Sequence, residues 1–515
     1  MVNIMDKSSD GEKIDVDVCI LGSGPAGISL ARYLTSKNIS VAIVERGGKN
    51  ACKPKRDVRF GFDHYDGIFN AVAFGLGGTS SLWGGQLLPL LSDEMKMMGD
   101  PWITKNFSEE LFENYKIIEK WLGVNQGSYD EDILSTGKCD LKKLIWNNFY
   151  PLISKWVPFR RRNLGHSWLK IVKKSTEIFL NQELAGWDIK IENNNSFIKK
   201  LRCIGPGHKT TTIYGHHFVI AAGALDTPLI LQKMMGNSLS EKLGIGNFLH
   251  DHLSLRIAEI EKVNHKEFEL FFSPFFHGQT MRSIRFCMPP IINNSFSDEI
   301  LAYCHFVISA PENCGFALIR DLLRALQQKD LVNFVKILIM LPTVFADILR
   351  IVWIRYTKNK LALPKNSKIY VNVDFVQPPK FQNKIKLDEL DKINIDWSVD
   401  ENLVKVVSSE AILYMQDFWK KNDLNNLGNL IPFFTTNPNP VFSNLYDIYH
   451  PAGTCATGRV LDSDFRVLGY KNLYVLGAAV FPKLGRSNPT LTIMALSLRL
   501  GKLIYAKILK GERLE

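Results

Sequence analysis

The chain has 515 residues, 46% hydrophobic and 22% charged, enough for two domains with substantial cores, which excludes a disordered or fibrous protein. Its net charge of +11 and pI near 9.0 are high for a plain cytosolic enzyme and point to an anionic partner: a membrane surface, a phosphorylated substrate or nucleic acid. Eight cysteines without a CxxC pair or regular spacing fit a reducing compartment and read as small buried hydrophobes, and the polar start MVNIMDKSSDGEK gives no reason to expect a cleaved secretory signal.

The first informative stretch is residues 14–46. An apolar run over 16–21 breaks off at Gly22, Gly24 and Gly27, and small and apolar residues then recur at helical spacing to Lys37. That pattern predicts a strand, a tight turn and a helix; a second apolar run over 41–44, ending in Glu45, completes a βαβ unit. Gly22 permits the sharp turn, Gly24 lets the backbone approach a pyrophosphate, and Gly27 lets the helix pack close on the strand. The diphosphate would sit on the positive helix N-terminus at Ser23, Pro25 and Ala26, while Glu45, with Arg46 beside it, can accept hydrogen bonds from an adenosine ribose. NAD and FAD are both compatible with this unit.

Next comes a glycine-rich stretch around Phe74, Gly77, Gly78, Thr79, Ser80, Trp83 and Gly84, with little room for regular structure, whose main-chain N–H groups could converge on an anionic or polar ring system. The spacing of Leu111, Tyr115, Ile118 and Leu122 predicts an amphipathic packing helix over 102–122. Residues 141–175 are basic and aromatic: Lys142, Lys143, Lys155, Arg160, Arg161, Arg162, Lys170, Lys173 and Lys174 occur with no acid between Asp140 and Glu177. Alternating runs at 187–191 and 197–203 follow. Residues 218–231, FVIAAGALDTPLIL, then predict a buried strand entering a turn at Ala222 and Gly223 and a helix with Pro228 in its first turn. His216 with His217, and the stretch GNFLHDH at 246–252, could suggest a metal site, but neither has further ligands at credible spacing, so structural hydrogen bonding is expected and no metal.

Residues 331–356 are the most apolar part of the chain. Lys336, Asp347 and Arg350 interrupt them and Pro342 must end or kink a helix, so the uncharged run falls short of the roughly 20 residues that span a bilayer. With Arg355, Lys358, Lys360, Lys365 and Lys368 following before Asp374, the segment reads as an apolar helical hairpin with a basic, Trp- and Tyr-bearing flank. That is the composition of an interfacial membrane anchor, and equally of buried helices in a substrate domain. Strands over 368–377 and 384–387 predict a sheet there. No linker separates two domains, so they are expected to be interwoven.

In residues 449–498, His450 precedes a Pro-Ala-Gly turn that would hold its ring, and a strand over 473–476 runs into Gly477 and Ala478. Asn488, Pro489 and Thr490 read as an N-cap, a first-position proline and the start of a helix whose positive end faces whatever lies beside Asn488. GSGPAG with Glu45, GLGGTSSLWGG, AAGALDTP, GNFLHDH, HPAGTCATG and SNPTLTIMALSLR, in this order, resemble the glucose-methanol-choline (GMC) family of FAD-dependent oxidoreductases. The form of the GGTSSLWGGQ loop is similar to bacterial members and the pyranose-oxidising branch.

The resemblance implies an α/β chain, α+β overall. A Rossmann-like FAD-binding domain (13–95, 175–255, 445–511) would be interwoven with a substrate-binding domain of β-sheet plus helices (96–174, 256–444), which carries an apolar helical segment at 316–360. FAD would lie with its adenosine at Glu45, its diphosphate at Gly22 to Gly27, and its ring system held by the Gly77 to Gly84 loop and the turns at Gly223, Gly477 and Asn488. His450 matches the family's catalytic histidine, and Asn488 the second active-site position, which is Asn or His in relatives. By that match His450 would take the hydroxyl proton as hydride leaves an alcohol carbon, with Asn488 hydrogen-bonding the substrate oxygen. Two positions depart from the family. Leu82 stands where the pyranose-oxidising branch has a histidine bonded to FAD, so non-covalent FAD is expected; Gly477 stands where an aspartate is frequent. The expected substrate is a small-molecule or lipid-linked alcohol, a sugar or glycan, handled in the cytoplasm or peripherally at the inner face of the membrane. A sterol or fatty alcohol, or a catalytically silent flavoprotein serving as a binding subunit, are the alternatives. Oxygen, a quinone or another acceptor all fit as the electron acceptor, and no recognition module for nucleic acid accompanies the basic segments.

Overall fold

Two large sheets organise the chain, which passes back and forth between them. The computed structural model describes residues 3–5, 10–99, 101–102, 104–125, 127–129, 141, 144–146, 149–168, 176–192, 195–292, 299–312, 314–328, 331–433 and 444–511. Lys142, Lys143, Lys170, Lys173 and Lys174 of the basic stretch lie outside the described residues.

The first sheet has eight strands, centred on Glu12–Leu21. This strand pairs in parallel with Val41–Val44 on one side and Thr210–Ile220 on the other, and Leu473–Val475 adds to Thr210–Ile220, again in parallel. A parallel sheet is covered on both faces, which is why the stretches that meet at its centre, 18–21, 41–44, 218–220 and 473–475, are apolar and buried throughout. Glu12–Leu21 ends at Gly22, whose φ of +108° is open to glycine, and the helix Pro25–Ser36 begins three residues later. A Cβ on Gly27 would collide with the carbonyl oxygen of Gly22, so only glycine lets this helix lie so close to the turn. The helix packs on the C-terminal helix Thr490–Leu509, where Gly501 makes room for the Tyr33 ring.

The second sheet has nine strands, ordered Asn429–Pro432, His252–Glu261, Lys368–Val376, Ala302–Ser309, Thr280–Cys287, Tyr150–Trp156 and Gln86–Leu87, with Leu445–Asp447 and Phe275–His277 paired at its margins. Helix Glu401–Lys421, capped at Asp400 by its side chain, buries Leu403, Val407, Ala411 and Met415 in a core shared with this sheet. A three-stranded sheet of Lys384–Leu387, Ile393–Asp396 and Val58–Phe60 ties residues near the chain's start to its later half.

Several sequence expectations change here. Inside the glycine-rich loop, Gly78–Ser81 forms a 3₁₀ turn and Gln86–Leu87 a short strand, because Ser80 and Ser81 hydroxyls cap the carbonyls of Gly77 and Gly78. Helix Lys105–Leu122, assigned by sequence to the substrate side, packs on the C-terminal helix: Asn114 Nδ2 donates to Ala495 O (3.1 Å) and Tyr115 shares a hydrogen with Thr492 (2.9 Å). Cys52 is exposed rather than buried, and its backbone forms an isolated bridge with Phe74. The apolar segment is not a hairpin on itself. Leu331–Met340 and Phe345–Lys358 continue as one 28-residue helical run through a 3₁₀ turn at Leu341–Val344, and the helix Gly315–Gln328 packs along both halves. Pro342 falls in that turn, where its ring and missing N–H interrupt the α-helical bonding between the two halves.

Pro228 is the other correction. The helix Gly223–Leu243 starts directly after the strand, which leaves Pro228 inside it rather than in its first turn. A proline there deprives the carbonyl four residues earlier of its donor. That carbonyl, Ala224 O, instead accepts from the Thr454 hydroxyl at 2.6 Å, both groups being buried. Thr454→Val keeps the shape and removes the donor, and is expected to lower unfolding free energy by about 1–3 kcal/mol in denaturant titration; no change would show that the carbonyl finds another partner.

Candidate active site

A single cavity of about 840 Å³ runs from the first glycine turn to the C-terminal motifs. Gly22, Gly24, Pro25, Ala26, Glu45 and Arg46 line one end, Gly78, Thr79, Trp83, Gly84, Ala222 and Gly223 its length, and His450, Gly477, Ala478, Asn488, Pro489 and Thr490 the other. Ser23, Gly27, Gly77 and Ser80 are not on its wall: Ser23 and Ser80 are buried behind it in hydrogen bonds, Gly27 is pressed on Gly22, and Gly77 on Gly165.

Three helices, starting at Pro25, Gly223 and Thr490, open onto this cavity, and none has a side-chain cap at its N-terminus. Their first N–H groups are donors in search of an acceptor, the arrangement that takes phosphate and polar ring edges. A Cβ on Gly24 would meet nothing within 4 Å, so the wall is open where a diphosphate would lie. Arg56, which also lines the cavity, spends one nitrogen on Asp226 (2.6 Å) and keeps Nε and Nη1 buried without a partner among the described residues. An elongated cleft of this size, with three uncapped helix N-termini and the open Arg56 nitrogens, fits FAD. Glu45 has a different surrounding from the one expected. Oε2 accepts from the Ser23 N–H (3.0 Å) and hydroxyl (2.6 Å), and Oε1 from the N–H groups of Gly47 and Gly75 (both 2.9 Å). Burial pushes its pKa up and these four bonds oppose that push. A ribose hydroxyl at Glu45 has to share or replace one of them.

At the other end, Tyr449 holds a left-handed φ of +66°, uncommon for a bulky residue, and the turn presents His450. Asp251 fixes that turn: Oδ1 accepts from the His450 and His252 backbone N–H groups (both 2.7 Å), and Oδ2 from the Tyr65 hydroxyl (2.7 Å). The imidazoles of His252 and His450 meet at 88° with their Nδ1 atoms 3.1 Å apart. His252 Nε2 lies 2.7 Å from the Gly485 carbonyl, which only accepts, so Nε2 carries the hydrogen. Burial lowers the pKa of both rings, that of His450 to about 3 with help from His252, so both are neutral near pH 7. His252 Nδ1 is then a bare acceptor, His450 must donate through Nδ1–H, and the lone pair of His450 sits on Nε2.

Gln86, on the edge strand of the second sheet, lines the cavity and is nearly fully buried. Its Oε1 accepts from Arg285 (2.6 Å) and, more weakly, from Asn488 Nδ2 (3.5 Å), while its Nε2 donates to Ser154 Oγ (2.8 Å). Gln86 thus turns the amide of Asn488. Sequence reading set His252 aside as structural and did not single out Gln86, Asp251, Tyr65 or Arg56. The cluster KPKR at 53–56 was a local cue for Arg56; the others depend on pairings with residues about two hundred or more positions away. Asp251, His252 and His450 do fall within 4.8 Å of one another, a grouping not expected from their spacing, and each is already hydrogen-bonded as described.

A fold of this kind with a dinucleotide cleft and a buried histidine pair at its far end defines an FAD-binding protein of the oxidoreductase type. A family model for GMC oxidoreductases matches residues 379–497, and one for an FAD-binding domain matches residues 15–58. Over 58 residues the chain is 43% identical to a protein of Acanthamoeba polyphaga mimivirus described as a truncated, inactive GMC-type oxidoreductase, covering 11% of this chain and 72% of that one. It is also 43% identical over 51 residues to Neither inactivation nor afterpotential protein G of Drosophila melanogaster, covering 10% of this chain and 9% of that protein, so it spans about a tenth of the fly protein's length. Pyridoxine 4-oxidase from Mesorbium loti shares the fold, with a TM-score of 0.55 at 14% identity over 95% of this chain and 99% of that one. The chain belongs to the GMC oxidoreductase family.

The tautomer assignment is open to nitrogen NMR on histidine-labelled protein. His450 is expected neutral with Nδ1 protonated down to about pH 5, and His252→Ala should give a mixture of tautomers. An Nε2-protonated His450 in the unmodified protein would contradict it.

Proposed function

We propose that the chain oxidises an alcohol, with His450 as general base and Asn488 as the hydrogen-bond donor to the substrate oxygen. The observation that carries this reading is the His252–His450 pair, which leaves a bare Nε2 on a residue lining the same cavity as the Gly22–Gly24 turn. Bound FAD supplies a two-electron hydride acceptor. The chain's own residues supply the rest. His450 Nε2 takes the hydroxyl proton as negative charge grows on oxygen, and the developing imidazolium is held in place through Nδ1–H by His252. Asn488, whose other amide hydrogen faces away from Gln86, donates to that oxygen and fixes the alcohol's position.

Leu82 lines the cavity and offers no imidazole, which supports non-covalent FAD. Gln86, Trp156, Tyr449 and Asn488 around His450 combine hydrogen-bonding groups with flat aromatic faces, which suits a sugar or a lipid-linked glycan. On this reading the protein works in the cytoplasm or at the inner face of the membrane and passes its electrons to a separate acceptor.

Anaerobic mixing with sugars, glycolipids and long-chain alcohols, followed by flavin absorbance, tests the reading. A true substrate bleaches the flavin, and His450→Ala should slow bleaching about 10²–10⁴-fold while FAD stays bound; unchanged reduction would rule out His450 as the base. Because its pKa lies below the ordinary histidine value, His450 stays neutral as the pH falls from 8 to 5, so kcat/KM should be flat over about that range. An acid limb with a midpoint near the ordinary histidine value of about 6.5 would contradict the buried, neutral base.

A further inference from the structure

The helical run from Leu331 to Lys358 turns its apolar side outward. Leu331, Val335, Leu338, Phe345, Val352 and Tyr356 follow one another at steps of three, four or seven residues, which sets them on one helical face, and all are exposed. Ile339 (72% exposed) and Trp353 (69%) widen the stripe beyond the narrow seam that a coiled-coil partner covers. On the opposite side Val344 and Ile354 are buried, and Arg350 binds the Glu269 carboxylate (2.7 Å) and the Leu363 carbonyl (2.6 Å). These contacts hold the run flat on the body of the protein, although by length and composition it is apolar enough to cross a membrane. Crossing would expose the buried Glu269 carboxylate without its arginine.

Charge decides what covers the face. From Leu331 to Val373 the chain has seven Lys and Arg and one acid, Asp347. Lys336, Lys365 and Lys368 are exposed, and Arg355 and Lys358 are half-buried beside Trp353 and Tyr356. Apolar side chains framed by cations, with Trp and Tyr at the margin, match the boundary between acyl chains and anionic head groups. The helix beside this run comes near the cavity. Helix Gly315–Gln328, packed along the run, brings Arg324 close enough to Arg162 for their charges to interact. Arg162 lies against Gly85 and over the Trp156 ring, and Trp83 Nε1 donates to its carbonyl (2.8 Å). Beside them Leu82 and Gly84 line the cavity and are exposed, which makes this its rim.

We infer that the helical run Leu331–Lys358 seats the protein on an anionic lipid surface, lying in the interface, so that the rim at Leu82 to Gly85 faces the lipid and an alcohol with an apolar tail enters from the bilayer. Entry of such a substrate rests on the proposed alcohol oxidation; attachment does not.

Flotation of the FAD-loaded protein with phosphatidylcholine vesicles, with and without phosphatidylglycerol, tests attachment without turnover. The protein should float with the anionic vesicles and stay behind with the neutral ones, and salt should weaken the binding. Val335→Glu with Trp353→Glu should abolish flotation while flavin content stays at the parent level. Lys336→Glu with Lys365→Glu and Lys368→Glu, confined to exposed positions, should abolish the preference for anionic lipid. Absence of flotation, flotation that survives both sets of changes, or a dimer in sedimentation velocity that Val335→Glu with Trp353→Glu dissolves would each overturn the inference. Once a soluble alcohol substrate is known, the Val335→Glu, Trp353→Glu protein should oxidise it at the parent rate but lose most activity on a vesicle-borne analogue. Failure on both substrates by the parent protein would count against the oxidation reading and leave the flotation result standing.

Discussion

Four hydrogen bonds converge on the Glu45 carboxylate, and they close three separate turns around one buried charge. An ionised carboxylate taken from water and left alone costs several kcal/mol, so the structure is committed to supplying all its donors at once. Ser23 comes from the glycine turn, Gly47 from the loop after the second strand, and Gly75 from the aromatic glycine-rich segment. The Ser23 hydroxyl also approaches the Gly75 carbonyl (3.2 Å), and the Gly77 N–H reaches the Ser23 carbonyl (3.1 Å). The turn that would take a diphosphate and the loop that runs toward His450 therefore keep one spacing. The two ends of the cavity are related through this carboxylate as much as through either sheet.

What was legible in the sequence was what is local. The βαβ unit at 14–46 could be read because its strand, turn and helix are consecutive and each glycine answers to a steric demand within a few residues. His450 was legible for the same reason, through the Pro-Ala-Gly turn beside it. His252 was not, because its partner lies 198 residues away and nothing in the stretch GNFLHDH says which strand it will face. Gln86 and Asn488, 402 residues apart, meet only once the edge strand Gln86–Leu87 joins the second sheet. The helical run at 331–358 shows the limit from another side: composition marked it as apolar, but which of its sides faces out depends on where Glu269 waits for Arg350.

The chemistry at His450 is shaped by charges that do not touch it. Burial is the main reason its pKa falls; Asp374 pushes it back up and Arg285 further down. Asp374, though buried, is held well below the usual carboxylate range by His305 and Arg285, and the Tyr303 hydroxyl donates to it at 2.7 Å. Arg285 stacks over the Tyr303 ring, 4.7 Å from its centroid, and points its guanidinium at Gln86. A buried cation and a buried anion of the second sheet thus act on the imidazole in opposite directions. The ring is left neutral by desolvation, and its orientation by hydrogen bonds, which separates the two properties a base needs.

The bond between Thr454 and the carbonyl of Ala224 binds the history of two sites together. A residue with an N–H in place of Pro228 would restore the ordinary helical bond and make the hydroxyl at 454 less needed, so a methyl at 454 should cost less after that change. The order of substitution therefore matters, and drift at either position is conditional on the other. Thr454 lies four residues after His450, and Gly223 and Leu225, on either side of Ala224, line the cavity. The expected coupling therefore runs between the loop that holds the base and the helix that lines the other side of the cavity, through a single hydroxyl.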